Sequence, residues 1–104
     1  MKYYSVAELN VTDRAWVKAY VARVTPMVER HGGRYLARTP NVEVLEGDPA
    51  RPQVFLIIEW PSRDAAQAFY ESEEYRPFRD ARIAGSQGRF VLVAGEDINQ
   101  VARM

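Results

Sequence analysis

The sequence contains no cysteine and only one histidine, and its formal net charge is zero. Without cysteine there can be no disulfide, thiolate nucleophile or zinc-thiolate site. One histidine cannot supply a multi-histidine metal centre, so we expect no bound metal. Balanced charges give no general attraction to nucleic acid or to anionic lipid, and no stretch approaches the roughly 18 apolar residues of a membrane span. We therefore expect a cytoplasmic protein without nucleic-acid or membrane partners.

What the sequence does contain is typical of one compact domain. It has 104 residues, of which 47% are apolar and 27% are charged. A chain of this length folds as one unit, and burying apolar surface against a partner would add to its stability. We assign residues 1–97 to a single domain and residues 98–104 to a C-terminal tail, which is also a candidate arm for exchange between subunits.

The first half of the chain predicts a strand, a helix and a second extended region. Apolar residues at three- and four-residue spacing predict a helix from Asp13 to His31, with Thr12 or Asp13 as its cap. Pro26 predicts a kink or a restart capped by Thr25. The predicted segments are a strand over residues 3–9, a helix stop at Gly32-Gly33, and extended structure over 34–46 with a break at 39–41.

The second half predicts two strands separated by helices. A continuous apolar run predicts a strand over residues 54–60, ended by Pro61. Ser62 is the expected cap of a short helix, and a further helical segment should begin at 72–74 with Tyr75, Phe78, Arg79, Arg82 and Ile83 as its stripe. A final strand is predicted over residues 89–94.

The order of these elements predicts an α+β, ferredoxin-like β-α-β-β-α-β fold with an antiparallel four-stranded sheet. Such a sheet alternates apolar and polar residues when one face meets water, yet residues 54–58 and 90–94 are continuously apolar. Two helices cover only one face. A second copy of the chain, sheet to sheet, is the simplest cover for the other, so we expect a homodimer that forms a dimeric α+β barrel.

Four runs along the chain are distinctive in their order: HGGRYLAR (31–38), VEVLEGD (42–48), IEWPSRDAAQAFYESEEY (58–75) and RFVLVAGED (89–97). Together they resemble the DUF1330 family, of no settled function, within the dimeric α+β barrel superfamily. The resemblance implies the same fold and a homodimer. The superfamily includes cofactor-independent oxygenases, isomerases, haem-degrading enzymes and ligand-sensing domains. Its haem-degrading members carry a second tryptophan near Phe69 and an iron-ligating histidine near Arg79; this chain has neither, so we expect no cofactor.

Two residues are candidates for proton transfer. Glu59 ends an apolar strand, and a raised pKa would let it act as a proton acceptor; the structural alternative is an ion pair with an arginine such as Arg38 or Arg82. Histidine is the residue type most often used as a general acid or base, so His31 is the second candidate. Its structural alternative, which we favour, is a hydrogen bond to the last carbonyls of the first helix.

Five further residues are candidates for ligand binding. Arg38 and Arg82 would hold an anionic group, while Trp60, Tyr70 and Tyr75 would form walls between the helices and the sheet. Each has a structural alternative as core or surface. The sequence thus predicts a homodimer that binds a small aromatic or acidic metabolite, with cofactor-independent monooxygenase or isomerase activity. The alternative is a non-catalytic ligand-binding or dimerisation module.

Overall fold

The computed structural model describes residues 1–101, which form one antiparallel sheet covered on one face by helices. The strands are β1 (Tyr3–Val11), β2 (Arg34–Thr39), β3 (Val54–Trp60) and β4 (Ser86–Ala94). The helices are α1 (Val17–Arg30), α2 (Arg63–Tyr70), α3 (Arg76–Ala84) and the single turn α4 (Ile98–Val101). A 3-10 turn, Arg14–Trp16, precedes α1.

The sheet order is β2-β3-β1-β4, with every neighbouring pair antiparallel. This confirms the predicted ferredoxin-like α+β fold. The two central strands are β1 and β3, whose inward side chains are the most buried in the sheet. A bulge at Leu36 shifts the pairing of the edge strand β2 with β3.

Helix α1 continues through Pro26, so the predicted restart of the helix at this point is wrong. The helix runs from Val17 to Arg30 with the proline inside it. Thr25 is not a second cap, because its hydroxyl donates back to the carbonyl of Val21 at 2.8 Å. Pro26 and Ala22 are both exposed, so the carbonyl of Ala22, which loses its N–H donor, lies on the side where water can reach it.

Both ends of the first helical region follow the prediction. Asp13 is the N-cap and accepts from the amide of Ala15 at 2.9 Å. At the other end the amide of Gly32 donates to Glu29 and that of Gly33 to Val28, at 3.0 and 2.9 Å. These two bonds form a Schellman motif, which directs the chain into β2.

The predicted extended structure after residue 41 is wrong. β2 ends at Thr39, and residues 40–53 form a loop without strand pairing. Leu45 is 91% exposed in this loop. Apolar and polar residues alternate only in part from 42 to 46, and this segment pairs with no neighbouring strand. The β-propensity of its side chains depends on packing against such a strand, so it does not make the segment a strand.

The core lies between the helices and the inner face of the sheet. Its largest fully buried side chains are Trp60, Tyr75, Phe69, Ile58, Val24 and Val28.

Ser62 caps α2 by accepting from the amide of Ala65 at 3.1 Å, as predicted. α3 begins at Arg76, later than expected, and buries Arg82 while Ile83 stays 56% exposed. The predicted stripe of α3 is therefore wrong at Ile83.

The opposite face of the sheet carries apolar side chains that helices α1, α2 and α3 leave uncovered. We call it the open face, and its apolar residues are Tyr4, Val6, Phe55, Ile57, Val91 and Val93. They pair across strands, with Val6 between Ile57 and Val91, and none of them is buried. Their inward-pointing neighbours on β1 and β3 are buried, as the two-residue period of a strand requires.

The segment assigned to a tail contains the turn α4 over Ile98–Val101. Residues 102–104 of that tail lie outside the described part of the chain. Its exchange between subunits stays a prediction.

Candidate functional site

An apolar cavity of about 100 Å³ lies between α1 and the sheet. We call it the inner cavity. Aliphatic and aromatic side chains from both layers line it, among them Leu9, Val17, Val24, Leu56, Phe69 and Phe90. Its polar contributors include Tyr20, Thr25, Tyr35 and Arg38. A dry apolar space of this order is large enough to hold a single aromatic ring.

A buried polar cluster stands at the side of the inner cavity that faces α3. The hydroxyl groups of Tyr20 and Tyr75 are 2.6 Å apart, within hydrogen-bond distance. Tyr20 lines the cavity, whereas Tyr75 is fully buried behind it. Burial, reinforced by Tyr75, raises the pKa of Tyr20 well above its ordinary value of 10.0. Tyr20 is therefore a neutral hydroxyl at physiological pH, suited to hydrogen bonding with a ligand oxygen rather than to accepting a proton.

Arg82 completes this cluster from α3 and is only 4% exposed. Its guanidinium carbon lies 4.9 Å from the centre of the Phe90 ring. Among residues 1–101, no hydrogen-bond partner reaches its buried Nε or Nη2. An arginine side chain stays protonated, so α3 places a positive charge inside the protein next to the two tyrosines.

Arg38 marks the point where the inner cavity reaches the surface. The residue is exposed yet lines the cavity, and its Nη1 donates to the hydroxyl of Thr25 at 2.8 Å. Its guanidinium lies 4.0 Å from the centre of the Tyr35 ring, within cation-π range. The structure thus brings Arg38 to the cavity rim, where a ligand with an anionic group would meet it.

A second cavity, of about 220 Å³, lies between α2 and the β1-β4 side of the sheet. Tyr70, Phe69 and Phe90 line it, together with Gln67, Glu71 and Leu92. Phe69 and Phe90 also line the inner cavity, so their rings separate the two spaces. Tyr70 therefore belongs to the second cavity rather than to the wall of the first.

Trp60 and His31 have structural roles in this arrangement. Trp60 is fully buried, stacks on Phe69 and donates from Nε1 to the hydroxyl of Ser5 at 2.8 Å. His31 lies at the end of α1, where Nδ1 is 2.9 Å from the carbonyl of Met27. A carbonyl only accepts, so Nδ1 carries the proton and donates, which is the structural alternative favoured from the sequence.

Glu59 lies on the other face of the sheet from both cavities. Its neighbours Ile58 and Trp60 point inward, so Glu59 points to the open-face side, where it pairs with Lys2 at 3.1 Å and Arg34 at 3.5 Å. The expected partners, Arg38 and Arg82, lie elsewhere. The hydrogen bond from Lys2 is the main cause that lowers the pKa of Glu59, so the expectation of a raised pKa is wrong.

The lowered pKa makes the stability of the fold depend on Glu59 in acid. A carboxylate whose folded-state pKa is depressed stabilises the protein above its unfolded pKa, here about 4.5, and loses that effect as the pH falls through the folded-state value. We expect the urea midpoint of Glu59→Gln to fall less steeply than that of the wild type as the pH drops below 4.5. Above pH 4.5, where the wild type has the full effect of the carboxylate, the midpoints of the two proteins should differ most.

Urea unfolding from pH 7 to pH 3 measures this effect. Glu43→Gln, in the exposed loop, is the matched control and should follow the wild-type curve. Parallel curves for Glu59→Gln and wild type across the whole range would contradict the ion-pair assignment.

Tyr20 and Phe90 are site residues that sequence reasoning missed. In the sequence Tyr20 is one residue of the apolar stripe of α1, and Phe90 is one residue of a predicted strand. The available signal is a tyrosine on an apolar stripe, since a buried hydroxyl requires a partner. That signal could not identify Tyr75 as the partner, because they are separated by 55 residues.

The order of strands and helices, with a ligand-sized cavity between the layers, defines a ferredoxin-like α+β protein. The chain belongs to the DUF1330 family, a domain of unknown function, which matches residues 2–96. No curated protein matches the sequence. Within residues 1–101, no group of three or more His, Asp or Glu side chains is arranged to hold a metal ion, and no helix has the length and apolar character to cross a bilayer.

Solved structures confirm the fold. A protein of unknown function from Rhodopseudomonas palustris aligns with a TM-score of 0.76 at 19% identity, over 92% of this chain and 83% of that one. SnoaB, a cofactor-independent oxygenase from Streptomyces nogalater, aligns at 0.61 and 18% identity, over 92% and 94%. A putative antibiotic biosynthesis monooxygenase from Nitrosomonas europaea aligns at 0.55 and 17% identity, over 90% and 89%.

Proposed function

We propose that this protein is a homodimer that binds a small aromatic or acidic metabolite in the inner cavity and oxygenates it without a cofactor. The inner cavity is the observation that carries the proposal. It combines a nearly apolar lining with the Tyr20 hydroxyl inside and the Arg38 guanidinium at the rim. An apolar space with a few fixed polar groups is the usual form of a small-molecule site.

The open face supports the homodimer. Its apolar side chains run across three strands, and covering them with the same face of a second copy would bury them through a two-fold symmetric contact. The paired charges of Glu59, Lys2 and Arg34 lie beside these residues and would fall at the edge of that contact.

The arrangement of polar groups favours oxygenation over isomerisation. An isomerase must move a proton on carbon with a base, and Glu59 lies across the sheet while Nδ1 of His31 is bonded to Met27. Oxygenation of a hydroquinone instead starts from its phenolate, and a phenolic proton, unlike one on carbon, can pass to water. The site then has to hold the ring and stabilise the charge on its oxygen, for which Tyr20 and the cationic Arg82 behind it are suited. The likeness to SnoaB is consistent with this chemistry but establishes only the fold.

Hydroquinone is the probe for the test. In the proposed reaction hydroquinone and O₂ give hydroxybenzoquinone and water: one oxygen atom forms a bond to a ring carbon, the other leaves as water, and the substrate supplies all four electrons. We expect ¹⁸O₂ to label the quinone with one atom, and Tyr20→Phe to lower the rate at least tenfold, since the variant keeps the ring but loses the hydroxyl.

Tyr3→Phe is the matched control for this test, because Tyr3 begins β1 and does not line either cavity described above. Plain autoxidation instead gives unlabelled benzoquinone, and both ¹⁸O atoms leave in hydrogen peroxide. Unlabelled product at the uncatalysed rate, with hydroquinone bound, would contradict oxygenation. It would support the alternative of a non-catalytic binding module. One observation favours that alternative: the described residues that line the inner cavity include no carboxylate and no imidazole.

A further inference from the structure

We infer that the Nε and Nη2 edge of Arg82 is a binding site for the carboxylate of an aromatic acid, and that the Phe90 ring covers this site when no ligand is bound. The inference rests on the proposed function, which it deepens by naming the acidic group of the metabolite and the residue that receives it. Binding at this edge would draw the ligand toward the second cavity, away from Arg38.

The first observation is a charged group with unused donors. Arg82 is only 4% exposed, and neither Nε nor Nη2 makes a hydrogen bond among residues 1–101, although the hydroxyl groups of Tyr70 and Tyr75 lie near enough to stabilise its charge. Buried polar groups in proteins are nearly always bonded, and a charged donor without a partner is the costliest exception. A group that binds at this edge would remove that cost.

The second observation is which two donors are unused. Nε and Nη2 lie on the same side of the planar guanidinium, so their N–H groups point in nearly the same direction. This edge matches the two oxygens of a carboxylate, which accept one hydrogen bond each in the bidentate geometry typical of arginine. A single hydroxyl or a halide ion would satisfy the edge less completely.

The third observation is the position of Phe90. Its ring centre is 4.9 Å from the guanidinium carbon of Arg82 and 5.7 Å from the ring centre of Tyr70. The residue is half-buried and lines both the inner and the second cavity. A rotation of the Phe90 side chain would therefore join the two spaces, and it would also uncover the guanidinium of Arg82, against which the ring lies. The joined volume reaches the lower end of the range for small-molecule sites, roughly 300 Å³.

The surroundings of Arg82 favour an aromatic acid over an aliphatic one. The Phe90 ring lies 4.9 Å from the guanidinium carbon, and Tyr20, Tyr70 and Tyr75 are close enough to act on the charge of Arg82. The faces and edges of such rings suit contact with another ring. Glu71 also lines the second cavity but is exposed, and its carboxylate would repel an anion held beside it, so we expect the carboxylate of the ligand against Arg82 instead.

Benzoate and benzamide are the probes, since they share a ring and a planar head group but differ in charge. We expect calorimetry to show benzoate binding at least tenfold more tightly than benzamide. In ¹⁵N-labelled protein the Nε–H resonance of Arg82, identified by its loss in Arg82→Lys, should shift on addition of benzoate and stay in place with benzamide. A merely structural arginine would not show this difference.

Two variants locate the effect. Arg82→Lys keeps the charge but loses the two-donor edge, so benzoate affinity should fall at least tenfold while benzamide affinity is unchanged. Arg63→Lys, the same substitution on the exposed side of α2, should change neither. Phe90→Leu should raise the association rate of benzoate several-fold, because the smaller side chain covers Arg82 less completely.

The outcomes separate the two proposals. If neither probe binds, the aromatic cavity and the inference both fail. If both probes bind equally and the Nε–H resonance does not move, the inference is overturned while ligand binding by the cavity stands. Should Arg82→Lys fail to fold, the Nε–H resonance is identified in the wild type by its closeness to the Phe90 ring, and its shift with benzoate but not benzamide decides the question. An unchanged association rate in Phe90→Leu would contradict the covering role of that ring.

Discussion

Val91→Asp should convert the protein from a dimer into single chains or unfold it. Val91 lies on the open face opposite Val6, in the same row of the sheet as Ile57. In the proposed homodimer the open face of one subunit packs against the open face of the other. The substitution therefore places two new carboxylates in the interface, one from each subunit. Burying an unpaired carboxylate costs several kcal/mol, which is a large part of the stability of a small interface.

Sedimentation velocity measures the outcome. The wild type should sediment at twice the 11.9 kDa of one chain and the variant at 11.9 kDa. Leu92→Asp is the matched control: it changes the next residue of the same strand, but on the helix side of the sheet, where Leu92 is 39% exposed. It should remain a dimer. A wild type that stays monomeric at every concentration, or a dimeric Val91→Asp, would contradict a contact through the open face.

The fold was predictable wherever local chemistry and tertiary structure agree. β3 has the predicted limits because an apolar run ended by proline is a strand signal, and the strand occupies a central position between β2 and β1. Ser62 and Asp13 are caps as expected, since a cap needs only its own amide partners. Pro26 failed as a break because the neighbouring carbonyls lie on the exposed side of α1, which depends on how the helix packs and not on its sequence.

The sequence was enough to name several residues of the candidate site, but not to tell which of them meet in one cavity. The period of a strand already placed Glu59 and Trp60 on opposite faces, so they could not serve one cavity between helices and sheet. Tyr75 and Arg82 were recognised as site candidates, yet the hydroxyl of Tyr20, which joins them to the inner cavity, comes from a helix far away in sequence. Contacts of this kind follow from the packing of α1 against α3, on which single-segment patterns carry no information.

Gly88→Ala should be strongly destabilising. Gly88 has a φ of 146°, which residues with a side chain rarely adopt, and it lies opposite Leu9 on β1. A Cβ atom there would overlap the carbonyl oxygen of Glu8 and lie 2.9 Å from its carbonyl carbon. Backbone rather than a flexible side chain is in the way, so β1 and β4 must separate locally. Strain and overpacking together should cost about 3 kcal/mol or more.

Gly47→Ala isolates the strain from the overlap. Gly47 also has a positive φ, 101°, but a Cβ atom on it would meet nothing within 4 Å. Its substitution should cost only about 1 kcal/mol. Urea unfolding of wild type and both variants at one protein concentration measures the difference, because dimerisation makes stability depend on concentration. Equal losses for the two variants would mean that the close approach of β4 to Glu8 contributes nothing and that backbone conformation alone selects glycine at position 88.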